Sequence, residues 1–244
     1  MEFTSLSVVI TASDETNDLK ETVETLLAVG DDVGEIIVVL PDWASEGCVS
    51  TTDALCAAHP EKVRALVQTR KGIGGAILDG FDSAGGSHLL YAVADLAISL
   101  DTVAPMIAIE KQYPADVVKT SRFMKGGKFV GYSRVRLVFN AAAQIFLKVL
   151  YQSSIRDHTN PMQIMPAAFY RSIAWHERTY PLLEELVLVP LRLRVPFREV
   201  PCTCFGRREG ESKNSFLQTA LYLKTALRTR FVPKKKLFKE NPAK

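Results

Sequence analysis

The chain has 244 residues, of which 47% are hydrophobic, and its formal net charge is +3 at pH 7. This length and composition can bury one sizeable core, or two modest cores packed together, and they exclude a disordered, collagen-like or disulfide-rich protein. No apolar run approaches the roughly 18 residues that span a bilayer, and residues 1–6 lack the basic head of a secretory signal. We therefore expect a cytoplasmic protein, with its four cysteines as free thiols.

Strand and helix signals alternate from residue 5 to residue 95. The β-branched run SLSVVIT predicts a strand, and NDLKETVETLLAVG predicts a helix with Leu19, Val23 and Leu26 on one face. EIIVVL, KVRALVQ and HLLYAVAD predict three more strands, separated by helices in STTDALCAAHP and GGAILDGFDSAGG. This alternation is typical of a parallel sheet with crossover helices, and ligands of such sheets bind at the carboxyl ends of the strands.

Polar residues follow each of the four predicted strands. Glu15 follows the first, Asp42 the second, the pair Arg70–Lys71 the third and Asp95 the fourth. A carboxylate such as Asp95 at this edge can hold a divalent cation or accept hydrogen bonds from a sugar or ribose. The alternative for Asp95 is a helix N-cap near Asp101, or an acid that simply reaches water.

A glycine-rich turn opens the third predicted helix. Lys71 beside Gly72 and Gly74 would bring a cation and backbone N–H groups near a diphosphate. Tight packing of the helix against a neighbour explains the same glycines.

Two later segments have apolar faces. RLVFNAAAQIFLKVLYQSS, from Arg136, predicts a helix that is either part of the core or pressed against lipid. Near the C-terminus, Phe216, Ala220, Leu223, Leu227 and Phe231 recur at helical spacing and lead into a basic tail. This second helix either packs on the domain or lies on an anionic membrane surface.

Five segments, in order, resemble the dolichol-phosphate mannose synthase branch of the family-two glycosyltransferases. They are SVVITASDETNDLKETVETLL, RKGIGGAILDGFDSAGGSHLLYAVADL, SRFMKGGKFVGYSRVR, RDHTNPMQIM and VPFREVPCTCFGRREGESKNSF. The resemblance covers nearly the whole chain. It implies the GT-A fold, a Rossmann-like, mainly parallel sheet flanked by helices, with residues 1–115 as the nucleotide-sugar-binding half and 116–244 as the acceptor half.

The resemblance also implies an activity and a set of site residues. The activity is inverting transfer of a sugar from a nucleotide-sugar to a polyprenyl (dolichyl-type) phosphate, on the cytoplasmic face of a membrane and without nucleic acid. The residues expected at the nucleotide and phosphate groups, or at the reacting centre, are Glu15, Asp42, Lys71, Gly72, Gly74, Asp95, Arg122, Arg136, Asp157, Arg207 and Lys213. Because a phosphate acceptor is already an anion, charge stabilisation matters more than a general base.

The family's metal motif is incomplete in this chain. Val93 and Ala97 occupy two positions where the family has an acid and a glutamine, so Asp95 is the one ligand left for Mg²⁺ or Mn²⁺. This departure keeps open a nucleotide-binding protein without efficient transfer. A third alternative is transfer to a hydroxyl acceptor, with Glu185 as the base.

Overall fold

The computed structural model describes residues 1–205 and 216–240. Within them, the strands are β1 (Leu6–Thr11), β2 (Val33–Leu40), β3 (Val63–Val67), β4 (His88–Val93), β5 (Val117–Ser121), β6 (Lys128–Val130), β7 (Gln163–Pro166), β8 (Phe197–Pro201) and β9 (Thr203–Phe205). The α-helices are α1 (Asn17–Leu27), α2 (Glu46–Ala58), α3 (Gly72–Ser83), α4 (Val103–Gln112), α5 (Arg134–Tyr151), α6 (Ala167–Ser172), α7 (Pro181–Leu193) and α8 (Phe216–Phe231). No helix in this described part of the chain is long and apolar enough to cross a bilayer.

The main sheet has seven strands in the order β3-β2-β1-β4-β7-β5-β8. Strands β1 to β4 are parallel, and β5 is parallel to β8. Strand β7 is antiparallel to both of its neighbours, β4 and β5. Because β7 reverses the direction on each side, β5 and β8 run the same way as β1 and β4. The mainly parallel α/β sheet expected from the sequence is confirmed, with one reversed strand in its middle.

Helices cover both faces of this sheet. One core lies between the sheet and α1, α2 and α4, and a second lies between the sheet and α3, α6 and α7. A third, smaller cluster joins α5, α7 and α8, with Leu147, Leu188 and Ala226 among its buried side chains. Helices α5 and α8 therefore form an outer layer on α7.

The strand ends form a single edge. Thr11, the last residue of β1, pairs with Val39 of β2 and Val93 of β4, while Leu40 pairs with Val67 at the end of β3. By the strand directions, β5 and β8 end at the same edge. We call it the carboxyl edge. It is where the loops that carry the predicted site residues begin.

The glycine-rich start of α3 packs tightly against the segment before α7. The Gly75 N–H donates to the Arg178 carbonyl at 2.8 Å. A Cβ atom added at Gly74 would lie 2.5 Å from the carbonyl carbon of Arg178 and 2.7 Å from the carbonyl oxygen of Thr179. Since these are backbone atoms, they cannot move aside as a flexible side chain can.

We expect Gly74→Ala to lower the free energy of unfolding by about 1–2 kcal/mol, because overpacking outweighs the better helix propensity of alanine. Gly85→Ala is the control, since its added Cβ would lie 3.6 Å from a Glu35 carboxylate oxygen, an ordinary contact. Urea denaturation measures both variants. Equal stability of the two would contradict the packing described here.

Candidate active site

The first two loops of the carboxyl edge are hydrogen-bonded to each other. Ala12 N–H donates to Val39 O at 3.1 Å, and Ser45 N–H donates to Ser13 O at 2.8 Å. Glu15, half-buried, accepts bonds from the backbone N–H groups of Ser13 at 2.8 Å and Asp14 at 3.1 Å. Its carboxylate is therefore fixed by its own loop.

Asp95 lies two residues beyond β4 at the same edge. Its Oδ1 accepts the Ala97 N–H at 3.1 Å, in a turn whose next residue, Leu96, has a φ of +52°. Helix α4 begins at Val103, so Asp95 orders the turn that follows β4 and does not cap that helix.

The negative charges of Asp95 and Glu15 both influence the pKa of the Tyr91 hydroxyl. This hydroxyl is 3.1 Å from Thr11 Oγ1. Burial raises the pKa of Tyr91, and the charges of Asp95 and Glu15 act in the same direction. The structure thus brings these two predicted residues together, whereas Asp42 lies at the same edge but is exposed to solvent.

The residues around Asp95 do not form a metal site by themselves. Val93 ends β4 and packs against both large cores, and the Ala97 side chain has no atom that could bind a metal. Among the described residues, no group of three or more His, Cys, Asp or Glu side chains is placed to hold a metal ion.

The basic pair at the start of α3 is divided between two roles. Arg70 is bound to Asp79 at 2.9 Å and to Asp82 at 2.7 Å, so its charge is used within the domain. Lys71 is exposed and, among the described residues, forms no ion pair. The backbone at Arg178 and Thr179 fills the space next to Gly72 and Gly74. Packing thus accounts for these two glycines, and their contact with a diphosphate stays a prediction.

Arg122 and Asp157 form a buried ion pair. The Arg122 side chain, next to the end of β5, is 9% exposed, and that of Asp157 is fully buried. Arg122 Nε donates to Asp157 Oδ2 at 2.7 Å and Nη2 donates to Oδ1 at 2.8 Å, while its backbone N–H donates to Oδ2 at 2.9 Å. Two residues predicted to contact substrate groups separately therefore contact each other.

The surroundings of this ion pair are strongly polar for a buried site. Burial alone would raise the pKa of Asp157, but the Arg122 hydrogen bonds and the charges of Lys119 and Arg122 hold it well below its usual range. Lys119 is itself fully buried and donates to the Asp157 carbonyl. Burial, and then the charge of Lys119, lower the pKa of His158 to about 4. His158 is accordingly neutral at pH 7.

Gln144 ties helix α5 to the ion pair. Its Nε2 donates to Asp157 Oδ1 at 3.2 Å and to Thr159 Oγ1 at 2.9 Å. Its Oε1 accepts the His158 backbone N–H at 2.7 Å and is 2.9 Å from His158 Nδ1. One buried amide thus holds the three residues 157–159 against the helix.

The outer face of α5 is apolar and exposed. Six large hydrophobic side chains on this face are 40% to 73% exposed: Val135, Val138, Phe139, Ile145, Phe146 and Val149. Their spacing puts them on the side of the helix opposite Gln144. On α8, Leu223, Leu227 and Phe231 are also exposed. Neither helix contains an Asp or a Glu.

Of the remaining predicted cations, only Arg136 lies within the described residues. Arg136 is exposed in the first turn of α5, with its guanidinium 5.5 Å from the centre of the Tyr132 ring. Arg207 and Lys213 lie outside the described residues, in a segment that follows β8 and β9. Strand β9 joins this segment to the Asp95 loop, because Phe205 N–H donates to Ala97 O at 2.9 Å.

Glu184 and Glu185, neighbours on α7, have opposite environments. Glu185 accepts the His176 and Glu177 backbone N–H groups and forms a 2.5 Å ion pair with Arg228. These partners occupy the carboxylate, so the structure gives no support to Glu185 as a catalytic base. Glu184 forms no ion pair with any cation in the described part of the chain. Burial, and then the charge of Glu177, raise its pKa to about 8.

Comparison with known protein families and sequences identifies relatives over most of the chain. The sequence model of glycosyl transferase family 2 matches residues 7–177. The chain is 28% identical over 207 residues to the undecaprenyl-phosphate mannosyltransferase of Micrococcus luteus, covering 82% of this chain and 84% of that protein. It is also 28% identical over 193 residues to the dolichol-phosphate mannosyltransferase of Saccharomyces cerevisiae, covering 73% and 68%.

Solved structures share the fold. Glucosyl-3-phosphoglycerate synthase from Mycobacterium tuberculosis, crystallised with Mn²⁺, uridine diphosphate and phosphoglyceric acid, superposes with a TM-score of 0.67 at 16% identity. The superposition covers 94% of this chain and 79% of that one. The GT-A fold expected from the sequence is confirmed, and at this identity the likeness concerns the fold alone.

We expect Gln144→Ala to lower the free energy of unfolding by about 1–3 kcal/mol, because it leaves buried polar groups of residues 157–159 without a partner. Asn140→Ala is the matched control, since Asn140 lies one turn earlier on α5 and has no hydrogen bond from its amide among the described residues. Urea denaturation compares the two, and similar losses would argue against the role assigned to Gln144.

The two glutamates of α7 should respond oppositely to neutralisation. A carboxyl whose folded pKa is raised from roughly 4.3 to about 8 loses stability as the pH rises through that interval. Glu184→Gln should therefore raise stability above wild type at pH 6, and by a larger amount at pH 9. Glu185→Gln should cost about 1–3 kcal/mol at both pH values, because Arg228 loses its partner. Thermal unfolding at the two pH values measures this, and a reversed order would refute both assignments.

Proposed function

The chain belongs to glycosyl transferase family 2 and is a glycosyltransferase, and from this premise we propose that it transfers a hexose from a nucleotide-sugar to a polyprenyl phosphate at a membrane surface. In this reaction an oxygen of the acceptor phosphate attacks the anomeric carbon. The bond from that carbon to the donor diphosphate breaks, and the nucleoside diphosphate leaves with the bonding electrons. Attack from the face opposite the leaving group inverts the configuration.

The observation that carries this proposal is the two-sided helix α5. Its outer face exposes a row of large apolar side chains, and a contiguous exposed apolar patch of this kind is characteristic of a lipid or protein contact. The charges of the two helices favour an anionic lipid surface over a protein partner, since α5 and α8 together have six basic residues and no acidic residue. An anionic membrane surface matches both properties. The inner face of α5 reaches Arg122 through Gln144 and Asp157.

A phosphate acceptor also fits the ionisable groups of the carboxyl edge. Such an acceptor needs no general base, and the best-placed alternative base, Glu185, is paired with Arg228. The reaction instead needs cations at the departing diphosphate and at the incoming phosphate. Lys71, Arg122 and Arg136, together with Arg207 and Lys213, are the residues that we propose for this role. Glu15 and Asp42 would contact the nucleoside, and Asp95 the donor.

The direct test is transfer of a radiolabelled sugar into a lipid-extractable product. Purified protein is incubated with nucleotide-mannoses and nucleotide-glucoses and with a polyprenyl phosphate in phosphatidylglycerol-containing vesicles. We expect a labelled lipid with at least one donor, and an approximately 100-fold slower rate for Asp95→Asn. Retained nucleotide binding without any labelled lipid would support a binding protein in place of a transferase.

The outer face of α5 can be tested with Phe139→Glu. A charge there should reduce transfer to a vesicle-embedded polyprenyl phosphate by about 10- to 100-fold, since it removes the burial of a phenylalanine side chain. Transfer to a short-chain, water-soluble prenyl phosphate should change little. Phe139→Leu keeps the face apolar and serves as the control. An equal loss with both acceptors would show that the substitution damages the domain rather than its membrane contact.

The incomplete metal motif can be tested by supplying a carboxylate. We expect Val93→Asp to raise Mn²⁺ affinity at least about tenfold in the presence of a nucleoside diphosphate, because a second carboxylate would stand two residues from Asp95. Val93→Asn introduces a similar polar group without the charge and controls for the loss of packing. Mn²⁺ titration followed by electron paramagnetic resonance measures the affinity. Equal affinities of the two variants would exclude a metal position next to residue 93.

A further inference from the structure

Three arginines line one cleft at the ends of α7 and α8. The cleft is open to solvent and is lined by Tyr151, Leu191, Arg192, Arg194 and Arg230. Its lining contains no carboxylate. It lies among the C-terminal ends of α5, α7 and α8, and no residue of the loops that follow β1, β2 and β4 lines it.

Two of these guanidinium groups, those of Arg230 and Arg192, influence the Tyr151 hydroxyl electrostatically. Burial raises the pKa of Tyr151, while the charges of Arg230 and Arg192 act against that rise. The hydroxyl itself donates to the Ala226 carbonyl at 2.8 Å. The three arginines line the same cleft, where the mutual repulsion of their charges favours binding of an anion.

Capping of helix ends explains only part of this cluster. Arg230 Nε donates to the Leu150 carbonyl at 2.7 Å, and Arg194 Nη1 donates to the Gln152 carbonyl at 3.3 Å. Both are carbonyls at the end of α5, where cations are favourable. Arg192 makes no such bond, and its Nε is buried without a hydrogen-bond partner. A buried donor without a partner is costly unless a ligand or water satisfies it.

No acid neutralises the cluster. Within residues 1–205 and 216–240, none of the three arginines forms an ion pair, whereas Arg198 and Arg228 of the same half do. A charged Glu184 would raise the pKa of Tyr151. The pKa of Glu184 is itself about 8, however, so this carboxyl is mostly protonated at pH 7. The cleft thus carries nearly its full positive charge.

We propose that Arg192, Arg194 and Arg230 form a binding site for a phosphate group, separate from the site of sugar transfer. Guanidinium groups suit phosphate because their planar N–H pairs match two of its oxygens. The phosphate has two possible sources, the headgroup of an anionic phospholipid and a soluble phosphate.

The two sources are separated by two binding measurements on the full chain, neither of which contains donor or acceptor. One is co-sedimentation with phosphatidylcholine vesicles, with and without phosphatidylglycerol. The other is calorimetric titration with inorganic phosphate. Since no transfer is measured, the result does not depend on the reaction proposed above.

The variants are Arg192→Gln, Arg192→Lys and, on the opposite side of the sheet, the charge-matched control Lys20→Gln. We expect Arg192→Gln to weaken binding of at least one probe by about fivefold and Lys20→Gln to leave it unchanged. Arg192→Lys should recover only part of the loss, because it keeps the charge without the planar fork. If Arg192→Gln does not fold, Arg194→Asn replaces it, since Arg194 is exposed and asparagine tolerates its φ of +64°.

A loss confined to phosphatidylglycerol vesicles identifies a lipid headgroup site, and a loss with inorganic phosphate identifies a site for soluble phosphate. Either result supports the proposal. If Arg192→Gln binds both probes as Lys20→Gln does, or if Arg192→Lys binds fully, general positive charge is sufficient and the proposal is overturned.

Discussion

The buried ion pair between Arg122 and Asp157 organises the part of the carboxyl edge that follows β5. Removing two charges from water is expensive, and attraction alone does not repay the cost unless the remaining lone pairs are also satisfied. Here Asp157 accepts bonds from the side chain and backbone of Arg122, and from the Thr159 and Asn160 backbone N–H groups. The pair therefore fixes the end of β5 and the segment before β7 in a single arrangement.

The same ion pair limits what sequence could reveal about the site. Both partners stand out in the sequence by their resemblance to the family, but nothing in a linear pattern shows that residues 35 positions apart bind each other. Lys119 is a clearer example of a site residue that sequence does not reveal. A lysine within a short apolar strand gives no sign that it is fully buried beneath Asp157. The role of Gln144 could not be predicted for a similar reason, because the mostly apolar sequence of α5 does not indicate polar contacts on the inner face of the helix.

The fold was more predictable than the site, and the difference has a physical cause. Strands β1, β2 and β4 are buried on both faces, so each is a continuous apolar run that sequence can identify. Strands β6, β7 and β9 have three or four residues each, too few to show a period of two. Their positions depend on tertiary pairing, such as the hydrogen bonds that join β9 to the loop of Asp95.

Helix α5 connects two environments that are only about one helix diameter apart, roughly 10–12 Å. Sequence left two interpretations of this helix, a core element or a lipid contact, and in the structure one side packs in the core while the other exposes apolar side chains. Leu147 and Tyr151 pack inward, while Phe139 and Val149 face solvent. A helix of 18 residues cannot shift on its outer side without moving Gln144 on its inner side. Any contact that orients α5 at a membrane therefore also orients the Asp157 segment, and with it Arg122.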